Sequence, residues 1–114
     1  MNVWQGSFPD HNSAMDGHAL TAPVRAFAPN GYGLYNCCGN VWEWVTDCYA
    51  AAPPVGPFPL RDPAGPDHGT AHIQRGGSYL CHDSYCDRYH AHSRTMNDPD
   101  SSTGHAGFRV ASPA

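Results

Sequence analysis

No window of eleven or more residues carries an apolar stripe at helical period, and that absence constrains this chain more than any other property of its sequence. A long amphipathic helix has no face to bury. Gly (12) and Pro (11) make up a fifth of the 114 residues, so the expected architecture is loop-dominated and pinned at many points. Leu, Ile, Val and Phe together number only 15, too few for an ordinary aliphatic core. Disorder is the competing outcome of such a composition. Against it stand a net charge of only −4 and 13 aromatic residues, which predict a folded domain with a core of Trp, Tyr and Phe. The length suits one domain spanning residues 1–114.

Several function classes lose support at this point. All six basic residues are Arg and the balance is mildly acidic, so no basic stripe exists to track nucleic-acid phosphates. No apolar run approaches a bilayer span, and the first residues, Met1 to Gly6, show no signal-peptide pattern; no membrane partner is expected, and the cytoplasm is the expected compartment. Five cysteines are an odd number, which fits poorly with a purely structural disulfide framework.

Three segments read as strands. In Asn36–Asp47, a tight turn at Gly39-Asn40 precedes an alternation that sets Val41, Glu43 and Val45 on one face and Trp42 and Trp44 on the other. A second strand runs from Ile73 through Leu80 into Cys81, interrupted at Gly76-Gly77 by a bulge or a close backbone approach. Phe108-Arg109-Val110 supplies the last. Residues 51–70, with six prolines and three glycines, read as a surface loop.

The chemistry concentrates in Cys81-His82-Asp83-Ser84-Tyr85-Cys86. Residues five apart share a face neither in a strand nor in a helix, so the thiols can meet only if the backbone turns between them. Joined thiols have three fates: a disulfide, half of a zinc site completed by residues such as His90 and His92, or a soft two-sulfur ligand for Cu(I). Spacing alone does not choose. Asn2, Asp16, Asn36, Asn40 and Glu43 stand beside glycines, where oxygens can converge on a hard cation, although on the residues alone turn formation is the favoured reading of Asn and Asp next to Gly.

The stretches NVWQGSFP, DGHALTAPV, PNGYGLYN, GNVWEW, RGGSYLCHDSYCDRY, NDPDSS and GFRV, in that order, closely resemble the C-terminal part of the formylglycine-generating enzyme (sulfatase-modifying factor) family. The wider superfamily shares GNVWEW, RGGS and GFR but generally lacks the cysteine pair. The resemblance implies an α+β fold with little regular secondary structure, related to C-type lectins and incomplete on its N-terminal side, so that the remainder of the domain is an expected partner. It implies a copper-dependent oxidase that uses O₂ to convert the cysteine of a Cys-x-Pro-x-Arg motif in an unfolded sulfatase into Cα-formylglycine. Cys81 and Cys86 fall on the cysteines that hold Cu(I), with Ser78 and Trp42 beside them at the catalytic centre. Arg94, His82, Tyr85 and His105 fall at substrate-binding positions. Two structural Ca²⁺ sites are implied as well: Asn2, Val3, Asp16 and His18 form one, and Asn36, Gly39, Val41 and Glu43 the other.

The chain also departs from the family. His105 stands where members often carry Asn, and Ala91 and Val110 stand where some carry structural cysteines. Cys37, Cys38 and Cys48 have no family counterpart and are expected to be small buried apolar residues. The rival function is a non-catalytic, calcium-stabilised binding module of the same lectin-like fold. A sibling iron enzyme of the superfamily ranks last, because it needs a histidine-rich helical domain.

Overall fold

A computed structural model describes residues 1–52, 56, 57 and 59–112. Among these there is no helix, which corrects the α+β expectation: all regular structure is strand, and its pieces are short. β1 (Gly6–Ser7) and β2 (His11–Asn12) form a small antiparallel hairpin. β3 (Trp42–Cys48), β4 (His72–Arg75), β5 (Thr95–Asn97) and β6 (Ala106–Gly107) make one sheet in the order β5-β4-β3-β6. β4 runs antiparallel to both β3 and β5, while β6 joins β3 in parallel through Trp42↔Ala106 and Glu43↔Gly107.

β3 is the alternating segment read from the sequence, and the turn before it places Gly39 and Asn40 at φ 74° and 67°. β4 stops earlier than expected. Gly76 and Gly77 both take positive φ, 90° and 72°, which ends the pleat, so residues 78–81 are loop rather than strand. Close approach explains both glycines: a Cβ on Gly76 would lie 2.9 Å from the Cys37 carbonyl oxygen, and one on Gly77 3.0 Å from the Tyr89 backbone. The final strand is Ala106–Gly107, and Phe108 and Val110 are exposed beyond it. Part of the 51–70 segment lies outside the described residues; the rest contains no strand.

The core differs from the aromatic one expected. Its buried apolar members are Ala22, Trp42, Ile73 and Cys81, beside the buried polar residues Asn2, Asn40, Gln74 and Ser78. Cys37, Cys38 and Cys48 are only half-buried. In place of aliphatic packing, side-chain amides tie loops together. Asn2 Nδ2 donates to the Leu20 carbonyl (2.8 Å) and to Asn40 Oδ1 (3.0 Å), which also accepts from the Ala22 N–H (2.7 Å). The Asn40 N–H donates to the Asn2 carbonyl (2.7 Å) and the Tyr79 N–H to the Asn40 carbonyl (2.9 Å). A buried amide left unpaired costs ~1–3 kcal/mol, so this network specifies loop positions as strongly as packing would. No helix among the described residues is long and apolar enough to cross a membrane.

Candidate active site

Two consecutive turns build the thiol pair. The Cys81 N–H donates to the Ser78 carbonyl (3.0 Å), closing the first, and the Tyr85 and Cys86 N–H groups donate to the His82 carbonyl (2.9 and 2.7 Å), closing the second. The backbone thus turns between the cysteines, as their spacing requires, and the two Sγ atoms lie 3.0 Å apart. That exceeds the roughly 2.05 Å of a disulfide bond, and both thiols are free.

The sulfurs are not equivalent. Cys81 is 2 % exposed, whereas Cys86 is half-buried and lines an open cavity of about 410 Å³. Burial, followed by the hydrogen bond to Cys86, pushes the Cys81 thiol up to about 12; the Ser78 N–H donated to its sulfur at 3.3 Å works in the opposite direction. Ser78 is fully buried, and its Oγ accepts from the Leu80 N–H at 3.3 Å. It therefore pins the sulfur-bearing turn from inside. One expected outcome is graded alkylation: in the copper-free chain iodoacetamide labels Cys86 well before Cys81, by mass spectrometry of quenched time points.

Trp42, Ser78, Tyr85, Cys86 and His105 share the cavity, so five of the residues singled out in the sequence come together. β3 supplies Trp42, and its N–H donates to the His105 carbonyl at 2.8 Å, setting β6 and His105 against the same opening. Tyr85 stacks on Phe8 with centroids 4.6 Å apart. The His82 ring lies nearly parallel to Phe8 with centroids 6.4 Å apart, and its Nδ1 is turned to Ser84 Oγ (2.7 Å) and Asp83 Oδ1 (3.0 Å). Arg94 is placed elsewhere: it donates to the Ala51 carbonyl (3.2 Å), sits 5.3 Å over the Tyr49 ring, and lines a separate groove with Asp47, Cys48 and Arg75. Phe8, Gln74 and Arg88 line the thiol cavity without having been picked out in the sequence. Their only signal lies in pairings distant along the chain, which a local reading does not contain.

The zinc alternative finds no support in this geometry. Among the described residues no group of three or more His, Cys, Asp or Glu side chains is placed to hold a metal ion, and the His90 and His92 rings stack on one another, centroids 5.6 Å apart.

The oxygen-rich loops show a separate feature. Asn2 Oδ1, Asp16 Oδ2 and Asn36 Oδ1 are buried without a hydrogen-bond partner, each on a residue singled out as a cation ligand. Buried orphan oxygens are costly unless something satisfies them. Asn2 and Asp16 thus fit a hard cation. In the second set Asn36 fits likewise, but both oxygens of Glu43 already accept from Arg109, including Nε at 2.6 Å.

Fold and site together define a loop-dominated domain, without helix among the described residues, that presents a free dithiol at the edge of a cavity. The chain belongs to the sulfatase-modifying factor enzyme 1-like domain family, whose match covers residues 1–114. It is 56 % identical over 112 residues to the formylglycine-generating enzyme of Thermomonospora curvata, covering 96 % of this chain and 37 % of that protein. With the Streptomyces coelicolor formylglycine-generating enzyme it shares 54 % over 113 residues, covering 99 % of this chain and 36 % of the relative. The chain therefore spans little more than a third of the length of these curated relatives. Among solved structures it is similar to Treponema denticola variable protein 1, with TM-score 0.64 and 31 % identity over 94 % of this chain and 34 % of that one.

Proposed function

We propose that this chain carries the thiol centre of a copper-dependent oxidase that converts the cysteine of a Cys-x-Pro-x-Arg segment in an unfolded sulfatase to Cα-formylglycine. The observation that carries this reading is the pair of free thiols 3.0 Å apart, one buried and one facing a cavity of about 410 Å³. Cys81 and Cys86 would hold Cu(I), a soft ion that suits two sulfurs. Copper bound there supplies the O₂ chemistry needed to break an aliphatic C–H bond, which side chains alone do not provide.

The chain's own residues do the remaining work. Ser78 fixes the Cys81 sulfur through its N–H, so one ligand is preorganised before metal arrives. Cys86 stands where an incoming peptide thiol can approach. Trp42, Tyr85 and His105 wall the cavity and displace water from the reacting side chain. Converting CH₂–SH to CHO with O₂, with sulfur leaving as H₂S and the second oxygen atom as water, consumes two further electrons, so a thiol reductant belongs in the reaction.

The test is incubation of the chain with Cu(I), O₂, a thiol reductant and a peptide containing Cys-x-Pro-x-Arg, reading hydrazide-reactive aldehyde. Product whose formation requires both cysteines supports the proposal; folded, copper-loaded chain that yields none overturns it for this chain and leaves the calcium-stabilised binding module. Cys81 holds its proton at neutral pH, so metal binding must displace it. Apparent Cu(I) affinity is therefore expected to rise about tenfold per pH unit for each proton displaced, between pH 6 and 8, in competition with a chromophoric chelator.

Ca²⁺ at the orphaned oxygens supplies cross-links that a small aliphatic core cannot. Calcium at about 100 times its dissociation constant adds roughly 2.7 kcal/mol, so EDTA is expected to lower the melting temperature and added Ca²⁺ to restore it. Asp16→Asn keeps the oxygen that accepts the His18 N–H (3.0 Å) but removes charge, and shrinks the calcium-dependent rise. A melting curve indifferent to both treatments contradicts calcium binding.

A further inference from the structure

Cys37 and Cys38 are adjacent, free and half-buried, and the proposed reaction uses neither. Their surroundings are tightly determined. Asn36 precedes them at φ 49°, Gly39 and Asn40 follow at 74° and 67°, and the Gly39 N–H donates to the Gly76 carbonyl at 2.7 Å. The Cys37 carbonyl packs where any Cβ on Gly76 would stand, and Asn30 Nδ2 donates to the Cys37 sulfur at 3.7 Å. The other thiols are otherwise engaged or remote. Cys81 and Cys86 face one another, and Cys48 ends β3, about 20 Å along the strand from Trp42 at 3.3 Å per residue.

We propose that Cys37 and Cys38 form a second thiol site, a modification site that a low-molecular-weight disulfide oxidises to a vicinal disulfide, changing the shape of the loop at residues 36–41. In the exchange one cysteine sulfur attacks the small disulfide, forming a mixed disulfide and releasing one small thiol; the neighbouring sulfur then displaces the second. Two protein S–H bonds and one small-molecule S–S bond break, one protein S–S bond forms, and the two protons end on the two released thiols. Consecutive Cα atoms across a trans peptide are about 3.8 Å apart, below the usual 4.4–6.8 Å for disulfide-linked residues, so closure must distort the 37–38 peptide. The distortion falls on a segment with little slack. Through Gly39 on Gly76, and through the Tyr79 N–H on the Asn40 carbonyl, it reaches the turn that holds Ser78 against Cys81. The second thiol site does not depend on the copper reading, although its effect on that centre does.

The experiment uses the full chain carrying Cys81→Ser and Cys86→Ser, treated with oxidised glutathione, alkylated with iodoacetamide and cleaved after Arg and Glu. Peptide 26–43 then contains Cys37 and Cys38 as its only cysteines. The expected peptide lacks both alkyl groups, is 2 Da lighter than the free dithiol form, and gains two adducts after reduction. Two adducts without reduction, or glutathione retained on one sulfur, would overturn the proposal. A melting temperature shifted by about 4 °C or more between oxidised and reduced chain supports the change in loop shape, since a shift of that order reports roughly 1 kcal/mol; coincident curves overturn that part. Cys37→Ala, which cannot close the ring, must lose both the mass signature and the shift. Absence of aldehyde in the separate copper assay would leave these outcomes unaffected.

Discussion

Replacing Cys86 by Ser is expected to reduce aldehyde formation on the order of 10³-fold or more while the melting temperature barely moves. Partners that only orient a metal ligand are each worth 10–100-fold, and this substitution removes one of the two proposed ligands themselves. Cys86 is half-buried at the cavity, and the backbone bond from its N–H to the His82 carbonyl, 2.7 Å, survives the change. Stability should therefore stay within about 0.5 kcal/mol. Cys81→Ser is expected to remove activity equally but also to cost about 1–3 kcal/mol, because a hydroxyl would replace sulfur at a position only 2 % exposed. Parallel aldehyde assays and melting curves separate the two roles. Activity of Cys86→Ser within tenfold of the parent would show that its sulfur is not a ligand.

The largest structural effect is expected from Gly39→Ala. Gly39 takes φ 74°, and an added Cβ would stand 2.3 Å from the Asn2 carbonyl oxygen and 3.0 Å from its carbon. Both contacts are backbone, so no side chain can swing aside. A left-handed residue with a Cβ costs about 1–2 kcal/mol before any clash. Relief of the clash would also break the bond from the Asn40 N–H to the Asn2 carbonyl, 2.7 Å, and with it the amide network joining residues 2, 20, 22 and 40. A loss of about 3 kcal/mol or more is expected, a large share of the stability of a domain this size. Gly31→Ala is the control, because nothing lies within 4 Å of its added Cβ. Urea unfolding of the two variants measures the difference; equal midpoints would mean that the Gly39 loop does not hold the fold.

What the sequence disclosed follows from the range of its interactions. The turn between Cys81 and Cys86 is legible because a five-residue separation cannot bring two side chains together otherwise, and β3 is legible because seven residues are enough to show alternation. β1, β2 and β6 have two residues each, too few for any period, and exist only through partners elsewhere in the chain. β4 shows the limit from the other side: the sequence predicts a strand continuing through Leu80, but two positive-φ glycines end the ladder at Arg75. Counting aromatics predicts an aromatic core, yet among the described aromatic residues only Trp42 is buried, and Asn2 and Asn40 hold the interior instead. Composition records which residues are present and not which pairs meet. The same applies to the candidate site: Trp42, Ser78 and Cys86 lie together in the cavity, whereas Arg94 was drawn to the backbone of Ala51 on a different groove.

X-ray absorption at the copper edge of the Cu(I)-loaded chain addresses the central claim most directly, since it reads the atoms bound to the metal without requiring turnover. Two sulfur scatterers per copper, falling to one in Cys86→Ser at matched copper content, are the predicted result. A shell of nitrogen and oxygen alone, or a sulfur count unchanged by the substitution, would contradict the assignment of Cys81 and Cys86 as the metal-holding pair.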